Sequence, residues 1–325
     1  MKQLSFSDLE LRLNRSKKTR SELQLDKVNK IVNWGKVEML LAETDNTGKQ
    51  GGRKPISVLI KAKMLFVQYL YNLSDPELED QLYDRLSFQR FVGLDFSQQI
   101  PDFTTFWRFK ERLVELNLMD SLFDLILNSL EERGLLLKKG TAVDATIIES
   151  RNRPLSKEKR TALEKKPSSQ IDTDADSTEK RGKKYFGYKG HIGQDVGSGL
   201  IRKRSFTSAR PHDSQQKEEL WSGDEQAIFG DSAYSNQAEK RAARQKGVYY
   251  GILDKGTRKR KLSKAQKKAN KQKSSIRCKV EHPFGYMKEK LDYRMAGAKN
   301  LLRNALRFDM NCIIYNIMRA DVLLR

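Results

Sequence analysis

The chain is 325 residues long and carries 63 Lys and Arg against 42 Asp and Glu, a net charge of +21. That length accommodates one to three domains with a sizeable core, and an apolar fraction of 38% is too high for a disordered chain. Two cysteines exclude a disulfide framework, no run of about 18 apolar residues marks a transmembrane helix, and the opening MKQLSFSDLELRLNRSKK lacks the apolar stretch of a secretory signal. The expectation is an intracellular, soluble, strongly basic protein. So large an excess of positive charge repels itself unless a polyanion offsets it, and nucleic acid is the default partner. Ribosome-associated and membrane-surface roles compete with that reading, and charge alone does not separate them.

Residues 1–135 read as helices. Ile60, Met64, Val67 and Tyr71 recur at helical spacing. Ser74-Asp75-Pro76-Glu77 is a capping-box pattern with a proline in the first turn, ahead of an apolar stripe at Leu78, Leu82 and Leu86. After a loop from Gly93 to Pro101, Asp102 is placed to cap FTTFWRFKERLVEL, and LMDSLFDLILNSLEERG is a further amphipathic helix ending in a C-cap glycine. On the helix after Asp102, Thr105, Arg108 and Lys110 are candidates to enter a DNA groove, while Phe103, Phe106, Trp107 and Phe109 are expected in the core.

The pattern changes near residue 140. TAVDATII reads as a buried strand. Residues 151–184 carry almost no large apolar side chain and read as a flexible insertion. KYFGYKGHIGQDVGSGLIRKRSFTSA reads as two strands joined at Val196 to Gly199, followed by a polar helix from about Asp213, a short strand ending in Asp231, a helix from Asn236 to Lys246 and the strand VYYGIL. Residues 255–275 form a basic insertion, in which Lys259 and Arg260 are candidate DNA contacts, and the chain from Ser274 to Arg325 reads as helical. Strands interleaved with helices argue for an α/β layer architecture over 136–325.

Asp144 inside one apolar strand and Asp231 at the end of another are acids where acids are unusual, since a buried carboxylate is costly unless paired or bound to metal. Glu281, before a His-Pro pair on a helix, is a third. Three carboxylates in a basic protein suggest a hard-cation site, and two Mg²⁺ ions about 4 Å apart suit in-line attack at phosphorus. The bland readings are a strand-end acid satisfied by backbone N–H groups for Asp144, a helix-entry turn for Asp231 and a solvated helix acid for Glu281. Cys278 and His282 lie four apart, but no second pair at ligand spacing supports zinc. His191 reads as structural and His212 as a helix cap that could also neighbour the site.

Four segments carry a resemblance to the IS5 family of bacterial DDE transposases: VDATIIES, DTDADSTEKRGKKYFGYKGHIGQD, ARPHDSQQ with IFGDSAYSN, and RCKVEHPFGYMK. The last holds an R-x3-E-x6-K signature as Arg277, Glu281 and Lys288, with Ser274 where the family has a tyrosine. The helical region, with LSDPELEDQLYDRLSFQRFVGL, is also similar to that family's N-terminal domain. The resemblance implies an RNase H-like catalytic domain, a mixed five-stranded sheet with helices, preceded by an all-α DNA-binding and dimerisation domain. It implies Asp144, Asp231 and Glu281 as catalytic metal ligands for two Mg²⁺, with Mn²⁺ as a substitute, and Arg277 and Lys288 on phosphates. The implied activity is binding to terminal inverted repeats, metal-dependent cleavage and strand transfer on double-stranded DNA, by a homodimer or higher oligomer in the bacterial cytoplasm at the nucleoid. A non-catalytic transposase-derived DNA binder and an RNase H-like nuclease without strand transfer are the rivals.

Overall fold

A computed structural model of the chain describes residues 17–45, 56–95, 98–165, 171–180, 182–256 and 261–325. Among the described residues seven α-helices precede the sheet: α1 (Arg20–Ile31), α2 (Trp34–Leu41), α3 (Val58–Leu70), α4 (Asp75–Asp84), α5 (Leu86–Val92), α6 (Phe103–Glu115) and α7 (Leu118–Glu132). Local chemistry sets their starts. The Ser74 hydroxyl accepts from the Glu77 N–H while the Glu77 carboxylate accepts from the Ser74 N–H, and Thr19 and Glu22 do the same for α1. Asp102 caps α6 through the Thr105 N–H. Leu78 and Leu82 are buried as the stripe predicts, but α4 stops at Asp84, so Leu86 opens α5 and stays 40% exposed.

The sheet is mixed and six-stranded: β1 (Thr141–Glu149), β2 (Asp176–Lys180), β3 (Lys183–Asp195), β4 (Ile201–Ser208), β5 (Ala227–Gly230) and β6 (Tyr249–Ile252). β3 pairs antiparallel with β1, β2 and β4, while β5 lies parallel to both β1 and β6. β1, β3, β4, β5 and β6 supply the expected five strands of an RNase H-like layer, and β2 is an addition that the sequence did not announce. It comes from the 151–184 segment, which also holds α8 (Lys157–Lys165). The segment is anchored rather than loose at its second half: Asp172 is buried and accepts from the Tyr188 hydroxyl at 2.6 Å and from the Ala175 N–H at 3.0 Å.

Two further expectations are corrected. The polar helix from Asp213 is a pair of 3-10 turns, Asp213–Gln216 and Glu218–Leu220. The later part of the basic 255–275 segment is α10 (Lys264–Arg277), started by a Ser263–Gln266 capping box after α9 (Gln237–Gln245) and β6. It docks on the end of β6: Lys273 is buried and donates to the Ile252 carbonyl at 2.9 Å, and Asn270 brackets the Asp254 backbone. Lys259 and Arg260 lie outside the described residues. After α10 a 3-10 turn, Cys278–Val280, leads into α11 (Glu281–Lys290); Pro283 has no N–H to offer the Lys279 carbonyl, so a regular α-helix is interrupted there.

The final helix, α12 (Leu301–Leu323), organises the core. It is buried on most sides because it lies between β4 and the helices α1, α3 and α7. Arg204 on β4 marks the junction: it pairs with Asp309 on α12, reaches Asp120 on α7 at 2.9 Å, and stacks its guanidinium 4.0 Å from the Phe123 ring centroid. Asn316 binds both peptide groups of Ile201, at 2.8 Å each. Against the sheet, Phe308 sits so close to β3 that a Cβ at Gly190 would meet its ring at 2.4 Å. The large hydrophobic cluster therefore runs without a break from α1 to β1, β3 and α12, joining the helical region to the sheet. Among the described residues, no helix is long and apolar enough to cross a membrane.

Candidate active site

Alternation along β1 sends Val143 into a small cluster with Leu220, Ile228, Tyr234 and Ile252, and Ala142 and Ile148 into the large core. Asp144 shares the second face. Its side chain is 19% exposed. β1 and β5 pair in parallel with Ala142 beside Phe229, so Asp144 and Asp231, each two residues further along, stand at the same end of the two strands, Asp231 one residue past β5. Asp231 turns one oxygen back to the Ala233 N–H at 2.7 Å, capping a 3-10 turn over 232–234. Burial raises the Asp144 carboxyl above its ordinary range; Asp231 pushes in the same direction, while the Ala145 N–H, Arg277 and Lys180 oppose.

Glu281 opens α11 with a side chain 61% exposed and reaches Asp144 only through Arg277. That guanidinium donates from one terminal nitrogen to Asp144 at 3.1 Å and from the other to Glu281 at 3.0 Å, while its Nε is buried without a hydrogen-bond partner. The surface Arg–Glu pair that spacing alone suggested does form, and it is extended inward to a strand carboxylate 133 residues away. Among the described residues no group of three His, Cys, Asp or Glu stands ready to hold a metal ion. The chemistry of the donors nevertheless suits a hard cation: two adjacent carboxylates repel each other, and a third is held one guanidinium away.

Lys288 lies two turns beyond Glu281 and is half-buried; burial lowers its pKa, reinforced by Lys180 and Arg294 and opposed by Glu149. Lys180 thus stands within electrostatic reach of both Asp144 and Lys288. Sequence reading missed it because it ends β2, inside the segment taken for a loop; the available signal was the turn glycine, Gly182, held at φ +77° before β3. Tyr234 was missed as well. Its ring is 2% exposed, its hydroxyl has no partner, and Asp213, Asp144 and Asp231 all raise its pKa after burial.

Other candidates are placed differently from one another. Arg108 is exposed on α6, whereas the Thr105 hydroxyl is tied to Asp102 at 3.1 Å. Lys110 turns inward, paired with Asp75 and donating to Gln68 at 3.2 Å, because burial between α3, α4 and α6 demands a partner for its charge. Phe106 and Phe109 are core, but Phe103 and Trp107 are 45% and 41% exposed, which corrects the expectation that all four aromatics pack inside. His212 caps the 213–216 turn through its Nδ1 and is exposed. Cys278 donates to the Ser275 carbonyl at 3.2 Å, and Cys312 is buried on α12.

His191, wholly buried on β3, contacts the Thr207 hydroxyl at 3.1 Å through Nε2 and leaves Nδ1 without a partner. Burial lowers its pKa from 6.5 to about 4, only partly countered by Asp213. The unfolded chain therefore takes up a proton that the folded one refuses. The stabilisation is complete above pH 6.5 and is lost as pH falls through that value toward 4. Denaturant unfolding of wild type is expected to show about 3 kcal/mol of this loss, and His191→Gln to flatten it.

Two family models match the chain. Residues 13–112 match the family model described as Transposase domain (DUF772), and residues 136–317 match the Transposase DDE domain. Among solved structures the chain is similar to a piggyBac transposase in a synaptic complex with hairpin DNA, at 11% identity and a TM-score of 0.45, over 96% of this chain and 76% of that one.

Proposed function

The chain belongs to the DDE transposase family, and from that premise we propose that it binds the terminal inverted repeats of its element, cuts there and joins the freed ends to target DNA. The observation that carries this reading is that β1 carries Asp144 and the end of its parallel neighbour β5 carries Asp231, with Arg277 linking Asp144 to Glu281. Asp144, Asp231 and Glu281 are the residues that would hold two Mg²⁺, with Mn²⁺ as a substitute, once Arg277 releases the carboxylates. Such ions supply activation of the attacking oxygen and neutralisation of the leaving one.

The chain's own groups do the rest. Asp144 and Asp231, fixed by β1 and β5, set the position of the scissile phosphate. Arg277 and Lys288 hold phosphates on either side of it, a charge-assisted contact for which the guanidinium fork is well shaped. Water attacks phosphorus and the 3′ oxygen leaves as a hydroxyl, taking up a proton; that 3′-OH then attacks a target phosphate and displaces the target's own 3′ oxygen. No ATP is consumed, in keeping with the lack of a G-x-x-x-x-G-K-[ST] loop. Residues 1–135 hold the repeat, with Arg108 and Thr105 on the DNA side of α6, and 136–325 carry the chemistry. Lys259 and Arg260 extend the DNA contact from the basic segment. Two copies, each bound to one end, act together at the nucleoid in the bacterial cytoplasm.

The test uses purified protein, linear DNA carrying the sequences that flank its gene, a supercoiled target, and Mg²⁺ or EDTA. Metal-dependent joined products are expected from wild type and not from Asp231→Ala. Cutting without joining assigns a nuclease instead, and tight binding without chemistry, equal in both proteins, assigns a non-catalytic DNA binder.

A further inference from the structure

A cleft of about 940 Å³ lies between α6, the 68–77 region and the strap that joins α11 to α12. The strap is tied to the far end of β1, where Met295 bridges to Glu149 and the Ala296 N–H donates to the Glu149 carbonyl at 2.8 Å. Five residues of β1 separate Glu149 from Asp144, about 17 Å at the usual strand rise. The strap that lines the cleft is thus tied to the strand that carries the first carboxylate of the site.

Its lining combines charge with a part-exposed aromatic ring. Six cationic side chains stand against four acidic ones. The acids are already engaged: Asp75 with Lys110, Glu77 with the Ser74 cap, Glu111 with both forks of Arg303 at 2.7 and 2.8 Å, and Asp292 with Asn72. Arg151 enters no ion pair among the described residues. Trp107 reaches the cleft from α6, 41% exposed, with the Arg303 guanidinium 5.4 Å from its ring centroid. Met295, also 41% exposed, lines the opposite wall. On the same lining Arg294 pairs with Glu289 at 2.6 Å and Arg307 donates to the Asn72 side chain at 2.7 Å.

A cleft with an excess of cations beside a part-exposed indole is the chemistry of single-stranded nucleic-acid binding, in which phosphates meet the charge and an unstacked base lies on the ring. We propose that the cleft receives unpaired nucleotides of a DNA strand, with phosphates beside Arg151 and a base against the exposed part of Trp107. The inference rests on the transposase reading for its ligand and gives that reading a second binding surface, specific for strand ends that have left the duplex.

The experiment requires no chemistry. Anisotropy of a labelled oligothymidylate and of a blunt random duplex is titrated with the full-length protein in EDTA. Trp107→Ala is expected to weaken oligothymidylate binding about tenfold, the loss of one base stack, while duplex binding changes less than about twofold. Trp107→Phe retains the affinity to within about threefold. Arg151→Gln, at an exposed position that leaves the core untouched, lowers the salt dependence of oligothymidylate binding by about one phosphate contact. An unchanged oligothymidylate affinity in both Trp107→Ala and Arg151→Gln, or a parallel loss for both DNAs, overturns the cleft assignment. Wild-type binding to the duplex, together with joined products in the metal-dependent assay, keeps the transposase reading standing even then.

Discussion

Asp144→Asn is expected to abolish DNA cleavage and joining, by at least about a thousandfold, while leaving the protein folded. A factor of that size is about 4 kcal/mol of barrier, and it follows from removing one of the proposed metal-binding carboxylates. Stability is expected to move by less than about 1 kcal/mol. Asparagine keeps the shape and drops a charge that burial already disfavours and Asp231 repels, which offsets the loss of the Arg277 pair. The pH dependence tests the same assignment. With its pKa raised in the folded state, Asp144 retains a proton that the unfolded chain gives up, so its contribution to stability is greatest at low pH. That contribution declines as pH rises from about 4 through the folded value. Urea titrations over that window should show the decline in wild type and not in Asp144→Asn. A strand-end acid with only a structural role would give the opposite pattern: clear destabilisation with chemistry retained.

Arg277→Met is expected to destabilise the fold by about 2 to 3 kcal/mol. Breaking a fully buried ion pair costs about 3 to 5 kcal/mol, and the figure is reduced here because Arg277 and Asp144 remain 17% and 19% exposed. The loss comes from Asp144 rather than Glu281, whose side chain is 61% exposed and contributes only as a surface partner. In the double variant with Asp144→Asn most of the stability should return, with a coupling energy of about 1 to 2 kcal/mol in the cycle. Chemical denaturation of the four proteins measures it. Additive effects would place the weight of Arg277 elsewhere, on packing or on DNA alone.

What the sequence made legible was local. Capping boxes at Ser74, the Asp102 cap and the glycine that ends α7 are statements within four residues, and each stands where its pattern put it. β1, β3, β4, β5 and β6 declared themselves by short apolar runs between turn residues. β2 did not, because Asp176–Lys180 is polar at nearly every position and pairs along one edge only. The 213–220 stretch has a helix's composition without an apolar face to bury, so it closes into tight turns instead. The carboxylates could be picked out individually, since acids in apolar strands are conspicuous. Their company could not: the Arg277–Asp144 bond and the inward turn of Lys110 toward Asp75 join residues far apart in the chain, where no periodicity speaks. Lys180 escaped for the same reason as β2.

α12 threads the helical region and the sheet with one uninterrupted rod, held by Phe308 against β3, Asn316 against β4 and Arg303 against α6. Such a member works as a ruler. On the proposed function, a DNA segment gripped on the surface of α6 would meet Asp144 at a distance fixed by packed side chains, so the number of base pairs between the sequence recognised and the bond cut would be set by the protein and not by the slack of a tether.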